Sequence, residues 1–333
     1  MRTRRRAQSA LALGLAVLAT AGCAGPASGG APADSGAPTA AETGSSWSFE
    51  NCDAEVTIDR PIERVVAVKS TSIEMMLALG LRDRIAAVAF PDGPYADEWA
   101  PADPPPVLSE RVPSQEAVLD VAPDLVYAGW ESNLTAEGAG ERDALARLGI
   151  ATLVAPSACT EPDARPDPLT WDDVWSEIEL AGRVFDVSDR AADLVARQQR
   201  RLAAVTPDTR GLSALWYSSG SDTPYVGGGI GNPQLVMDAV GLTNIAADVH
   251  ESWASLSWEA VVDADPDVIV LVDSSWGSTA KKIAQLESNP ATAALTAVRA
   301  GRYLVVPFAA GEAGVRSAEA VETLSAQLTG LRL

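Results

Sequence analysis

Two spacings of apolar residues alternate along this chain. Continuous apolar runs at residues 65–68, 125–128 and 268–272 are typical of strands that are buried on both faces of a sheet. Between such runs, as at residues 189–205, apolar residues recur three or four positions apart, as on one face of a helix. Alternation of buried strands with helices indicates a parallel α/β fold.

One stretch of this pattern occurs twice. Residues 113–124 recur as residues 256–267, shifted by 143 positions, with seven identical residues in twelve. Each copy predicts a short helix that is capped by a serine, Ser114 or Ser257, and broken before a proline, followed by a buried strand. Each helix carries an acid in its first turn, at Glu116 and Glu259. The chain therefore consists of two similar α/β halves.

The two halves are separated by a helical region. No strand pattern follows residue 168 for some forty residues, and residues 188–206 read as one long helix. A helical stretch of this length between two α/β halves is best interpreted as a rigid connector that crosses from one to the other.

The N-terminus has the composition of an export signal. A basic run at residues 2–6 precedes a short apolar segment, and small residues then lead to Cys23, as in a bacterial lipoprotein signal. Residues 24–46 are almost all Ala, Gly, Ser, Pro and Thr, which predicts a flexible tether. The predicted organisation is a signal peptide (1–22), a lipidated cysteine with its tether (23–46), a first lobe (47–187), a connecting helix (188–206) and a second lobe (207–333).

Charge and metal-binding residue types narrow the possible partners. The whole chain has a net charge of −20, and without residues 1–22 it has 21 basic and 45 acidic side chains, so nucleic acid is not an expected partner. Besides Cys23, the chain has two cysteines, Cys52 and Cys159, which in an oxidising compartment favour a disulfide over two separately buried thiols. A single histidine, His250, argues against zinc or haem ligation by clustered His and Cys side chains.

Taken together, residues 61–68, the helix at 74–79, the two glutamate repeats and the long connector resemble a known family. It is the class of ABC-transporter substrate-binding proteins that serve iron-siderophores, haem and cobalamin. The resemblance implies two Rossmann-like lobes that flank a ligand cleft and are joined by a long helix. It also implies that Glu116 and Glu259 dock onto arginines of a membrane permease, which is driven by a cytoplasmic ATPase.

The same resemblance implies a monomeric binding protein without a cofactor, anchored by lipid to the outer face of the cytoplasmic membrane. A narrower likeness rests on residues 65–72, 128–133, 215–224 and 307–316, which are similar to an actinobacterial subfamily proposed to import the precursor of the deazaflavin coenzyme F-420. A ferric siderophore or cobalamin is the alternative ligand. An exported hydrolase that uses His250 is a more remote alternative.

Candidate ligand contacts stand at predicted strand ends and in loops, where α/β folds place ligands. Flat tryptophan rings suit a planar conjugated ligand, and Lys69 and Arg316 are candidate counter-charges for an anion. The alternatives are half-buried tryptophans, an ion pair of these cations with Glu312 or Asp92, and glutamates that serve only a helix dipole. The expected ligand contacts are Lys69, Ser70, Tyr95, Trp130, Trp216, Tyr217, Trp253, Trp276 and Arg316.

Overall fold

The computed structural model describes residues 46–332. The predicted signal peptide, Cys23 and all of the predicted tether before Ser46 lie outside the described residues. In the first lobe the strands are β1 (Trp47–Asn51), β2 (Ala54–Ile58), β3 (Val65–Val68), β4 (Ile85–Ala89), β5 (Val107–Ser109), β6 (Leu125–Ala128) and β7 (Ala151–Val154), and the helices are α1 (Ser70–Ala78), α2 (Gln115–Asp120) and α3 (Arg142–Arg147).

Five of these strands form a parallel sheet in the order β5-β4-β3-β6-β7. The first of them, β3, lies in the centre, and every residue of β3 and β6 is buried. The direction of the strand order reverses between β3 and β6, so their carboxyl ends open a crevice at that point. This is a Rossmann-like order, as expected for the lobe.

A two-stranded antiparallel hairpin, β1 and β2, precedes the sheet. The Asn51 side chain fastens this hairpin to the end of β7, because it donates to the Val154 carbonyl at 3.0 Å and accepts from the Val154 amide at 2.8 Å. A disulfide joins Cys52 to Cys159, just beyond β7. The loop after β7 is therefore held to the hairpin by both a covalent bond and hydrogen bonds.

Two helices follow the first sheet: α4 (Trp171–Val184) and α5 (Ser188–Ala204). A capping box between Thr170 and Asp173 starts α4, whose apolar face belongs to the core of the first lobe. The predicted connector corresponds to α5. Its first half packs on the first lobe, and Leu202 near its end contacts the cores of both lobes.

The second lobe repeats the α/β construction around a six-stranded sheet. Its central strands run parallel in the order β8-β12-β13, with β9 and β11 added antiparallel at one edge and β10 paired with β8. The strands are β8 (Ser213–Ser219), β9 (Tyr225–Gly227), β10 (Thr243–Asn244), β11 (Trp253–Ser255), β12 (Val268–Asp273) and β13 (Tyr303–Pro307), and the helices are α6 (Asn232–Val240), α7 (Trp258–Ala264), α8 (Thr279–Ser288), α9 (Thr296–Arg299), α10 (Phe308–Gly311) and α11 (Ser317–Gly330).

The repeated unit has the same local structure in both lobes. Ser114 caps α2 and Ser257 caps α7, and each hydroxyl accepts from the amide three residues on. The aspartate that follows the proline holds the start of the first strand of each parallel sheet: Asp124 accepts from the Arg64 amide just before β3 at 2.9 Å, and Asp267 accepts from the Ser213 amide of β8 at 2.9 Å. The repeat is therefore one structural device that is used twice.

Candidate functional site

The carboxyl ends of both sheets face each other across a cleft that contains a cavity of about 530 Å³. Its walls come from the ends of strands, from the loop after β7 and from the segment that leads into α4. Residues that line it include Trp130, Ser157, Cys159, Arg165, Leu169, Ser218, Tyr225, Asn232, Glu251, Trp253, Trp276, Phe308 and Glu312.

Aromatic side chains form much of the wall. On the second lobe, Trp253 of β11 stacks on Tyr225 of β9 with ring centroids 6.1 Å apart and an interplanar angle of 13°. Trp130 of the first lobe and Trp276 of the second pack edge-on against Phe308, at the start of α10, with ring centroids 5.9 Å and 5.4 Å apart. A flat ligand in this cavity can stack on exposed ring faces.

A buried lysine joins the lobes beside this cavity. Lys69 follows β3 in a left-handed backbone conformation and is fully buried, with its ammonium bonded to Asp92. The ammonium also lies over the rings of Trp130 and Phe308, at 3.8 Å and 4.5 Å from their centroids. Burial lowers the pKa of Lys69, and Asp92 opposes this shift. Lys69 is therefore occupied by protein groups and does not line the cavity.

The second predicted counter-charge is occupied in the same way. Arg316, the residue before α11, donates to Glu74 of α1 at 3.2 Å and to Glu319 at 2.7 Å. Glu74 is 1% exposed and also accepts from the Trp99 indole at 2.9 Å. The Arg316 and Glu74 pair is thus a buried salt bridge between the lobes. Arg316 lines a separate, smaller pocket of about 160 Å³ on the other side of Phe308.

The cation that does line the cavity was missed by sequence reasoning. Among the described residues, Arg165 is the only lysine or arginine in the wall. It donates to Glu251 of the second lobe at 3.2 Å, and its Nε is buried without a hydrogen-bond partner. The one local signal was a lone cation in the acidic, proline-rich segment 161–168. Only the tertiary structure brings Arg165 of that segment next to Glu251 of the second lobe.

Two carboxyl groups at the cavity are shifted toward their neutral forms. Burial raises the pKa of Glu312 to about 7, although Lys69 opposes the shift. Burial also raises the pKa of Glu177, on α4, to about 8. Glu177 accepts a hydrogen bond from the Ser157 hydroxyl at 3.2 Å, and Ser157 lines the cavity. Burial therefore reduces the negative charge of these two carboxyl groups, whereas Glu251 also lines the cavity.

Of the predicted ligand contacts, Trp130, Trp253 and Trp276 line the cavity. The expectation for Trp216 and Tyr217 is wrong, because they lie within β8 and are 0% and 1% exposed in the core of the second lobe.

The remaining predicted contacts lie behind the cavity wall. Ser70 is the first residue of α1, and its hydroxyl accepts from the Asp92 amide at 2.8 Å. Tyr95 is partly buried and packs against the core of the first lobe. Neither side chain reaches the cavity, because each is held by its own lobe.

His250, the residue on which the hydrolase alternative depends, is paired with an acid. The His250 imidazole pairs with Asp167 at 2.8 Å, and no serine hydroxyl within residues 46–332 is hydrogen-bonded to it. No group of His, Cys, Asp and Glu side chains within those residues could hold a metal ion. No helix in the described part of the chain is both long and apolar enough to cross a membrane.

Residues 65–310 match the model of the family described as periplasmic binding protein. The chain belongs to this family. The family comprises binding proteins, which agrees with the expected class.

Several known proteins are similar to this chain in sequence or in structure. The chain is 27% identical, over 97% of its length and 96% of the relative, to an uncharacterised ABC transporter substrate-binding lipoprotein, YvrC, of Bacillus subtilis. A cobalamin-binding protein of Halobacterium salinarum is 31% identical over 65% of this chain and 55% of that protein. A solved ABC-type Fe³⁺-hydroxamate transport protein of Saccharomonospora viridis superposes with a TM-score of 0.73 and 29% identity, over 85% of this chain and 98% of that chain. The expected two-lobed α/β fold is confirmed.

Proposed function

We propose that this chain is the substrate-binding component of an ABC importer, a monomer held at the outer face of the cytoplasmic membrane by a lipid on Cys23. Membership of the binding-protein family supports this role, and the Bacillus subtilis relative is named a lipoprotein of such a transporter. Glu116 and Glu259 support a docking function, since each is exposed in the first turn of an equivalent helix, one on each lobe.

Charge reversal tests the docking role. The double variant Glu116→Lys and Glu259→Lys should abolish uptake into cells while the purified protein binds ligand with unchanged affinity. A matched control reverses Glu55 and Glu287, two exposed glutamates that also lie one on each lobe. Equal uptake by the docking variant and the control would refute the assignment.

For the ligand, we propose a small anionic molecule with a planar conjugated part, and we favour the deazaflavin precursor of coenzyme F-420. The observation that carries this proposal is the pairing, in one cavity, of a single cation with aromatic ring faces: Arg165 beside the Tyr225 and Trp253 stack. A guanidinium grips phosphate or carboxylate oxygens, and a tricyclic ring system fills a cavity of about 530 Å³.

A ferric siderophore or cobalamin is the alternative ligand. The relatives named for Fe³⁺-hydroxamate transport and for cobalamin binding favour it. Cobalamin is large for a cavity of about 530 Å³, so this ligand would extend beyond the cavity or require the lobes to part.

Direct binding decides between these ligands. The mature chain without its lipid, residues 24–333, is titrated with the deazaflavin precursor, ferric hydroxamates, haem and cobalamin, and tryptophan quenching is followed. Sub-micromolar binding of the deazaflavin precursor alone supports the favoured ligand. Arg165→Ala should weaken that binding at least tenfold, as expected for a lost charge-assisted hydrogen bond of roughly 1.5–3 kcal/mol. Tight binding of a siderophore or cobalamin alone would transfer the assignment to the alternative.

A further inference from the structure

Two polar atoms of the cavity wall are buried without a hydrogen-bond partner among the described residues: Nε of Arg165 and Oε1 of Glu312. A buried polar atom without a partner costs free energy, so native proteins usually satisfy such an atom with water, an ion or a ligand. The proposed anionic ligand accounts for Arg165. It leaves the carboxyl oxygen of Glu312 without an explanation.

The Glu312 side chain is held in place by the opposite lobe. It follows α10 of the second lobe, and its other oxygen, Oε2, accepts a hydrogen bond from the Trp130 indole of the first lobe at 3.2 Å. The indole fixes the orientation of the carboxyl group, and Oε1 remains for a further contact. One oxygen of Glu312 is thus oriented by Trp130, and the other has no partner among the described residues.

Burial and the groups around Glu312 together set the pKa of its carboxyl group. Lys69 lowers the pKa of Glu312 and Asp92 raises it, while burial has the largest effect and raises the pKa to about 7. Glu177 and Tyr225 also face it: Glu312 raises the pKa of both. Because burial keeps Glu177 largely neutral at pH 7, it adds little negative charge to this side of the cavity.

We propose that Glu312 is a ligand-contacting residue that binds, as a neutral carboxylic acid, to an acceptor oxygen of the bound molecule. This inference rests on the proposed function in one respect, that the ligand is anionic. The cavity wall contains a single cation, and that cation already contacts Glu251. An ionised Glu312 would repel an anionic ligand, whereas a protonated Glu312 donates a hydrogen bond from Oε1 to it.

The sign of the pH dependence follows from this contact. An anionic acceptor raises the pKa of Glu312 in the complex above its value of about 7 in the free protein. Affinity is therefore full below pH 7 and falls as the pH rises above it. When the complex keeps Glu312 protonated up to pH 8, the affinity should fall about tenfold between pH 6 and pH 8, and binding should take up about 0.1 proton at pH 6 and about 0.9 proton at pH 8.

Calorimetry with the deazaflavin precursor tests the complex. Titrations at pH 6 and pH 8, each in two buffers of different ionisation enthalpy, give the number of protons taken up. Glu312→Gln keeps a donor and cannot titrate, so it should bind with nearly equal affinity at both pH values and without the proton uptake. Glu137→Gln, which removes an exposed acid from the first lobe, should behave like the unaltered protein. Affinity that rises with pH, or proton uptake that persists in Glu312→Gln, would overturn the proposal.

A second measurement needs no ligand. Because the Trp130 indole is bonded to Glu312, titration of this carboxyl group should change tryptophan fluorescence with a midpoint near pH 7. The transition should be absent from Glu312→Gln. If the deazaflavin precursor does not bind, the favoured ligand of the proposed function fails, and this measurement still tests Glu312. Absence of a Glu312-dependent transition would overturn the inference by itself.

Discussion

The buried salt bridge between the lobes gives a quantitative prediction. Arg316→Met keeps most of the apolar stem and leaves Glu74, which is 1% exposed, without its cationic partner. Glu74 will then take up a proton instead of staying ionised in the interior. The free energy of that protonation sets the upper limit of the destabilisation caused by Glu74.

The limit follows from the ordinary pKa of a glutamate, 4.5. Each pH unit above that value adds about 1.4 kcal/mol to the free-energy cost of protonating a carboxyl group in the folded state. The upper limit of the destabilisation is therefore about 3.4 kcal/mol at pH 7 and about 0.7 kcal/mol at pH 5. Burial already raises the pKa of Glu74, so part of this free-energy cost is present in the protein before the substitution. A group whose folded-state pKa is raised loses stability as the pH rises. The loss caused by Glu74 is therefore expected to be below about 3.4 kcal/mol at pH 7 and to shrink toward pH 5.

Urea unfolding followed by tryptophan fluorescence at pH 5 and pH 7 measures this loss. The matched control is Arg201→Met, which breaks the more exposed pair with Glu322 at 2.6 Å and should cost less than about 1 kcal/mol, with little pH dependence. Adding Glu74→Gln to Arg316→Met should recover part of the stability at pH 7. Equal losses for the two arginine variants, or a loss for Arg316→Met that does not change with pH, would refute the reasoning.

Three further predictions concern the cavity and its support. Trp253→Ala should weaken ligand binding in calorimetry about twofold to twelvefold, since a stacked aromatic pair contributes roughly 0.5–1.5 kcal/mol, whereas Trp47→Ala in the N-terminal hairpin should leave affinity unchanged. Replacing Cys52 and Cys159 by serine removes a disulfide between residues 107 apart and should lower the free energy of unfolding by about 2–5 kcal/mol. The thermal midpoint of the variant should be lower than that of the unaltered protein, and a reductant should not lower it further. His250→Ala should bind ligand with unchanged affinity. If the unaltered protein hydrolyses its ligand and the variant does not, the hydrolase alternative would be supported instead.

Local sequence determined the elements of this protein and their repetition. Apolar runs such as residues 65–68 and 125–128 became fully buried parallel strands, and the serine caps of α2 and α7 formed as predicted. These features depend on groups a few residues apart, so periodicity and capping chemistry reveal them. The same is true of the exposed glutamates in the first turns of those helices.

Which polar and aromatic groups meet the ligand cavity was decided only by the tertiary structure. Position after a strand placed Lys69 at the cleft, but Asp92 and the aromatic rings of both lobes enclose it. Arg316 is 242 residues from Glu74, its partner, and Trp130 is 182 residues from Glu312. Burial and charge pairing at such separations depend on how the two sheets approach each other. No local pattern encodes that approach, which is why the sequence predicted the cleft and only the fold showed that Arg165 and Glu312 line it.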